Sequence, residues 1–212
     1  MSEPEFFIST PRLYISHLIP SDNTHCDFLV DLYNSPPFIA SIGGKPTSIT
    51  TREAARNLLA GRFQAEHARN GYGTYLVSLK SESPLAHGSN PLSSSIPIGT
   101  VSLRRGEEPN CYAAPDLGFA ILPRYMRRGY AKEASEGLLQ YAAYELGVKD
   151  VLGLHDPNNE GSCAVFRSLG FEDRGLRELK VFGGVIGQVW ARQGMSQDLS
   201  VYRLPRDAPG TT

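Results

Sequence analysis

Apolar positions recur along this chain with two periods, two and about 3.6, and the switches between them outline the elements. From Phe6 to Leu18, Leu13 and Ile15 alternate with polar neighbours and predict a first strand. Ser21 to Asn34, entered through S-D-N, predicts a helix. Thr50-x-x-Glu53 is a capping box ahead of a second helix, with Ala54, Leu58, Leu59 and Phe63 on one face and Asn70-Gly71 as its stop. Tyr75, Val77 and Leu79 alternate in the next strand, and Gly99, Val101 and Leu103 in the one after, which predicts an antiparallel pair with one buried face each. Between them, Ser81 to Ser95 is rich in Ser, Pro, Gly and Asn and reads as a solvated loop inside one domain.

The second half continues the alternation. Asp116 to Leu122 (D-L-G-F-A-I-L) predicts a strand, and Tyr130 to Leu146 a helix whose stripe of Ala134, Leu138, Ala142 and Leu146 faces the core. Val151 to His155 is a short strand and Gly161 to Ser168 a short helix. Strand-like runs at Arg177 to Phe182, Val189 to Ala191 and Leu199 to Leu204 close the chain. Helices and strands interleaved in this way predict an α/β architecture, and 212 residues without an internal repeat fit a single domain over 1–212.

Composition excludes more than it selects. A net charge of −1 and a pI near 6.5 argue against a general nucleic-acid or membrane-surface partner. The cysteines, Cys26, Cys111 and Cys163, form no C-x-x-C pair, so we expect reduced thiols, no structural metal and a cytoplasmic protein. The opening M-S-E-P-E-F-F is acidic rather than basic, and no apolar run approaches the ~20 residues that a membrane span needs.

The chemistry concentrates in two blocks. In L-P-R-Y-M-R-R-G-Y-A-K-E-A (Leu122 to Ala134) arginines and a glycine stand where a strand gives way to a helix. Free N–H groups, the positive end of the helix dipole and adjacent guanidiniums make such a turn a receptor for phosphate. Gly129 lets the backbone approach the ligand, since it carries no Cβ. The second block, D-P-N-N-E-G-S-C-A-V-F-R-S-L-G-F (Asp156 to Phe171), follows the next strand.

In this order the two blocks resemble the GNAT superfamily of acyl-CoA N-acyltransferases, with its [QR]-x-x-G-x-[GA] turn and a later helix that begins near an Asn and ends in L-G-F. Gly129-Tyr130-Ala131 matches the second half of the turn, Asn159 and Ser162 the N-x-x-S variant, and Leu169-Gly170-Phe171 the L-G-F. G-Y-A-x-E-A with N-x-x-S looks most like the branch that acetylates protein N-termini and related amines, including the ribosomal-protein alanine acetyltransferases. S-T-P-R-L-Y-I-S likewise resembles that branch's opening T-x-R-L-x-L. The chain departs from the pattern at Met126, where Gln or Arg is usual, at Arg127, where a first glycine is common, and at Phe166, where many members carry a proton-donating Tyr. The likeness spans residues 9 to 204, and its specific part is confined to the two blocks.

The resemblance implies a mixed, mostly antiparallel sheet flanked by helices, with two parallel strands splayed to admit acetyl-CoA. It implies that pantetheine runs along the backbone of Ala120, Ile121 and Leu122, and that the pyrophosphate meets Arg127, Arg128, Gly129, Tyr130 and Ala131. Asn159 and Phe166 line the cofactor. Transfer to an amine needs a base for the acceptor and an acid for the departing thiolate. Ser162 is the candidate acid, or else a hydroxyl that caps its helix; Asn159 orients the ligand or caps the same helix. Asp116 and His155 are the candidate bases. An α-amine with pKa about 7.7–8.0 needs less help than a lysine at about 10.4, so a protein N-terminus or a small weakly basic amine is the expected acceptor. The other readings are a catalytically weak acyl-CoA-binding regulatory module and a mononucleotide binder, although no G-x-x-x-x-G-K-[ST] occurs. No metal is expected, and the protein is a monomer or a homodimer.

Overall fold

Eight strands form one sheet in the order β1-β2-β3-β4-β5-β6-β8-β7, antiparallel throughout except where β5 runs parallel to β6. The strands are β1 (Phe7–Ser9), β2 (Leu13–His17), β3 (Thr74–Leu79), β4 (Ile96–Arg104), β5 (Asp116–Ile121), β6 (Leu152–His155), β7 (Glu172–Leu179) and β8 (Val185–Ala191). The helices are α1 (Asn23–Tyr33), α2 (Pro36–Ser41), α3 (Arg52–Leu58), α4 (Gln64–Asn70), α5 (Tyr130–Tyr144) and α6 (Glu160–Ser168). The computed structural model describes residues 6–81, 90–109 and 111–206. Residues 82–89 of the expected Ser81 to Ser95 loop lie outside the described residues, and Pro91–Ser94 is a 3-10 turn.

Several elements differ from the sequence reading. The single strand expected over Phe6 to Leu18 is a hairpin, β1 with β2, because the chain reverses at Thr10-Pro11-Arg12. The second helix is capped by Thr51 rather than Thr50: the Thr51 hydroxyl accepts the Ala54 N–H at 3.1 Å. That displacement buries Ala55 and leaves Ala54 half-buried. A π-helical turn, Leu59–Phe63, then separates α3 from α4, which ends at left-handed Gly71 as expected. In place of the strand expected over Leu199 to Leu204 there is a 3-10 turn, Leu199–Tyr202. Asp198 caps it, and the chain reverses through Arg203 at φ 67°.

The strand pair β3–β4 is antiparallel as expected, but β3 is buried on both faces. Tyr75 and Val77 pack with Ala134 and Leu138 of α5 on one side, while Leu76 packs with Leu29, Leu59 and Phe63 on the other. Helices cover both faces of the sheet, so alternation in β3 separates two cores rather than core from solvent. A third cluster packs Leu152, Leu154 and Val189 against Leu199 and Tyr202. No helix among the described residues is long and apolar enough to cross a membrane.

Candidate active site

The parallel strands β5 and β6 meet at one register position, Asp116 opposite Leu152, and then part. The Leu152 N–H donates to the Pro115 carbonyl at 2.9 Å. In a continued parallel ladder the next inward N–H, that of Leu154, would go to the carbonyl of Leu117. It goes instead to Oδ1 of Asp116, at 2.9 Å. A side chain thus intercepts the ladder at the point where the strands diverge.

Beyond that point β5 has an open edge. Leu122 donates its N–H to Ile98 of β4, so by strand alternation Ala120 also faces β4, and the N–H and C=O groups of Phe119 and Ile121 face the gap. Buried amides of this kind need partners, and an extended ligand with amides of its own supplies them. The backbone expected at Ala120, Ile121 and Leu122 is therefore offered by Phe119 and Ile121. Ala120 and Leu122 turn their peptide groups away.

At the end of β5 the chain passes through Arg127 (φ 60°) and Gly129 (φ 80°) into α5. Both are left-handed, a conformation that glycine adopts freely and arginine does not. Tyr130 and Ala131 start the helix, with their first-turn N–H groups at its N-terminus. Arg127 and Arg128 are exposed, and neither makes an ion pair among the described residues, while the Tyr130 side chain is buried.

This turn is held from across the molecule. Arg12 donates from Nη1 to the Arg128 carbonyl at 3.0 Å and from Nε to Glu133 Oε2 at 2.6 Å, and its guanidinium lies 4.5 Å over the Tyr130 ring. Glu133 Oε1 accepts the Thr10 hydroxyl and the Arg12 N–H, each at 2.7 Å. Partial desolvation pushes the Glu133 carboxyl up, but these donors outweigh it and hold the group below the usual carboxylate range. The T-x-R-L of the opening hairpin and the Glu of G-Y-A-K-E-A are thus two halves of one brace. Their separation in sequence hid it.

On the opposite side of the gap, Asn159 caps α6, its Oδ1 accepting the Ser162 N–H at 3.0 Å. The cap is therefore Asn159, not the Ser162 hydroxyl, which is half-buried and makes no hydrogen bond among the described residues. Phe166 lies elsewhere than expected. It is 1 % exposed and packs among Phe119, His155, Phe171 and Trp190, with centroids 5.2–6.0 Å away. A Cβ on Gly153 would stand 2.2 Å from its ring. A ring sealed in the core cannot line a cofactor.

His155 is tied on both nitrogens. Trp190 Nε1 donates to His155 Nε2 at 2.9 Å, and His155 Nδ1 donates to the Asp156 carbonyl at 2.7 Å. Burial pushes the imidazole below its ordinary range. The one lone pair a base would use is already accepting the indole N–H.

Asp116 is different. Burial pushes its carboxyl up to about 8, against the Leu154 N–H and Arg104, which favour the charged form. It lines a cavity of about 640 Å³ that is also lined by Leu154, Glu66 and Arg104 and by Val181 and Phe182 of the β7–β8 turn. A carboxyl poised near neutrality at the floor of a cavity, where two strands open, is suited to accept a proton from an amine. No cluster of His, Cys, Asp or Glu able to hold a metal occurs among the described residues.

The Acetyltransferase (GNAT) domain profile matches residues 12–172. Among curated proteins, the uncharacterized N-acetyltransferase YnaD of Bacillus subtilis (strain 168) is 28% identical over 61 residues, or 29% of this chain and 36% of that protein. The match thus spans about a third of that relative's length. Among solved structures, the ribosomal-protein-S5-alanine acetyltransferase of Vibrio fischeri superposes with a TM-score of 0.66 at 16% identity, over 89% of this chain and 96% of that one. RimL, a ribosomal L7/L12 alpha-N-protein acetyltransferase in complex with coenzyme A, superposes with a TM-score of 0.64 at 19% identity, over 88% and 97%. At such identities the likeness establishes the fold.

Proposed function

The chain belongs to the GNAT acetyltransferase family and is an acyltransferase, and from that premise we propose that it moves an acetyl group from acetyl-CoA directly to a primary amine, either a protein N-terminus or a small molecule, within a ternary complex. One observation carries this reading: the Asp116 carboxyl accepts the Leu154 N–H where β5 and β6 part, and the same residue lines the cavity there. The open edge at Phe119 and Ile121 suits pantetheine amides, and the turn from Arg128 to Ala131 suits a pyrophosphate. RimL is solved in complex with coenzyme A, which supports coenzyme A as the cosubstrate scaffold here.

In the proposed step the amine, deprotonated by Asp116, attacks the thioester carbon. The C–N bond forms, the C–S bond breaks, and the departing thiolate takes a proton from Ser162, which solvent replenishes. His155 supports the core beneath β6 and takes no proton. The free thiols Cys26, Cys111 and Cys163 support a reducing, cytoplasmic setting. The test is release of coenzyme A thiol from acetyl-CoA across a panel of amines and peptides. Tight acetyl-CoA binding with no release above background for any acceptor would refute the enzyme and favour a cofactor-binding module.

A further inference from the structure

The cavity above Asp116 holds charges that their neighbours balance only in part. Its arginines fall into two groups. Arg69 pairs with Glu107 at 2.8 Å and Arg105 with Glu108 at 2.9 Å, which satisfies both. Arg62 makes no ion pair among the described residues, and Arg104 approaches only Glu66, at 3.8 Å. Desolvation, and after it the neighbouring Arg104, lower the affinity of Arg62 for its proton, so the two guanidiniums sense each other across the cavity.

Glu66 is 5 % exposed, lines the cavity, and has one oxygen, Oε2, without a hydrogen-bond partner. A buried carboxylate oxygen with no donor is costly unless something arrives to fill the place. Both residues are presented by the π-helical turn Leu59–Phe63 and the start of α4. A π-turn shifts the helix register and is found preferentially at functional sites.

We propose that the acceptor is a small primary amine carrying an anionic group, carboxylate or phosphate, which Arg62 and Arg104 hold while the amine faces Asp116. Two guanidiniums that share one carboxylate, Glu66, leave a positive charge over and call for an anion, and planar forks suit both oxyanions. Glu66 keeps Arg104 turned toward the cavity, and its free oxygen is available to a donor on the acceptor. The volume of about 640 Å³ lies within the 300–1,000 Å³ usual for small-molecule sites. The proposal rests on the acetyltransferase reading and narrows its acceptor.

The experiment compares matched acceptors at saturating acetyl-CoA: 3-aminopropanoate, 3-aminopropyl phosphate, neutral 3-aminopropanamide, cationic 1,3-diaminopropane, and a tetrapeptide with a free N-terminus. At least about tenfold higher kcat/KM for one of the anionic amines over the amide is expected, one decade of transition-state preference. Whether carboxylate or phosphate leads identifies the anion. In Arg62→Met and Arg104→Met proteins that melt as folded species, the anionic preference should fall below about threefold, with partial recovery in Arg62→Lys. Equal rates across the series, preference for the diamine or peptide, or an anionic preference that survives both methionine variants would overturn the proposal while leaving the acetyltransferase reading intact. Should no amine be turned over, the acetyltransferase reading itself fails. Calorimetry with 3-aminopropyl phosphate then still decides the anion site, which requires binding to the parent protein and at least about tenfold weaker binding in each methionine variant.

Discussion

Replacing Asp116 by Asn separates its two jobs. Asn keeps an oxygen where Oδ1 now accepts the Leu154 N–H at 2.9 Å, so the strand junction is preserved, but it cannot take a proton. With the carboxyl pushed up to about 8, about a tenth of the native protein carries the base form at pH 7 and about nine tenths at pH 9. The native kcat at saturating acceptor should therefore climb severalfold between those values and level off. Asp116→Asn should lower the plateau by 10²- to 10⁴-fold, about 2.7–5.4 kcal/mol of barrier, and remove the rising limb. Stability gives an independent reading of the same group. A carboxyl raised above its unfolded value of about 3.9 contributes stability that is complete below that pH and is lost as pH rises through about 8. The melting temperature of the native protein should therefore fall relative to Asp116→Asn between pH 5 and pH 9. Asp116→Ala adds a different defect, since it strands the Leu154 N–H and costs about 1–3 kcal/mol at any pH. The assays are thiol release against pH and thermal melts of the three proteins. A folded Asp116→Asn enzyme with native kcat and an unchanged pH limb would remove Asp116 from the chemistry.

Other substitutions probe the two walls of the cleft. Gly129→Val forces a β-branched residue to φ 80° and adds a side chain where the pyrophosphate would approach, so acetyl-CoA affinity measured by calorimetry should fall at least about tenfold, or 1.4 kcal/mol. Ser162→Ala should lower kcat roughly 10²-fold with the melting temperature unchanged, because Asn159 and not the Ser162 hydroxyl caps α6. Phe166→Tyr should give no gain in turnover and should cost about 1–3 kcal/mol in denaturant titration, since its hydroxyl would be sealed in an aromatic core against Gly153; a faster enzyme would mean that this ring reaches the cleft.

What the sequence displayed was local. Gly129 ahead of an apolar stripe announces a tight turn into α5, and alternation announces β3, β4 and β5, because each signal is written within a few neighbouring residues. The hairpin at Thr10-Pro11-Arg12 was legible only in part. Both arms share one alternation, and Pro11 alone marked the reversal. The π-turn at Leu59–Phe63 left no mark, since an inserted helical residue preserves an apolar face on each side of it. Phe166 misled for a related reason: a motif position fixes where a residue sits on α6, while the small Gly153 beneath it decides that the ring turns inward. The cavity was invisible for a third reason. Arg62, Glu66, Arg104 and Asp116 come from three stretches of chain, and their meeting depends on how α4 crosses the sheet.

Asp116 shows how a sheet can be kept open at one place only. A parallel pair that has begun to form continues unless each further step is blocked, because every step satisfies another buried N–H. Here the Leu154 N–H is already satisfied by a side chain one residue before the carbonyl it would otherwise seek. The incentive to close is removed on the β6 side, while the backbone of Phe119 and Ile121 stays exposed on the β5 side. The asymmetry leaves the donors and acceptors of Phe119 and Ile121 open on the β5 wall while the Leu154 N–H on the β6 wall is taken, so an extended molecule in the gap would pair chiefly with β5. The residue whose side chain takes this N–H also lines the cavity, and burial pushes its carboxyl up to about 8 in spite of the Leu154 contact, which favours the charged form. Opening the sheet and raising the basicity of Asp116 are two consequences of one placement, so no single substitution there can alter only one unless it keeps the Oδ1 acceptor, as Asn does.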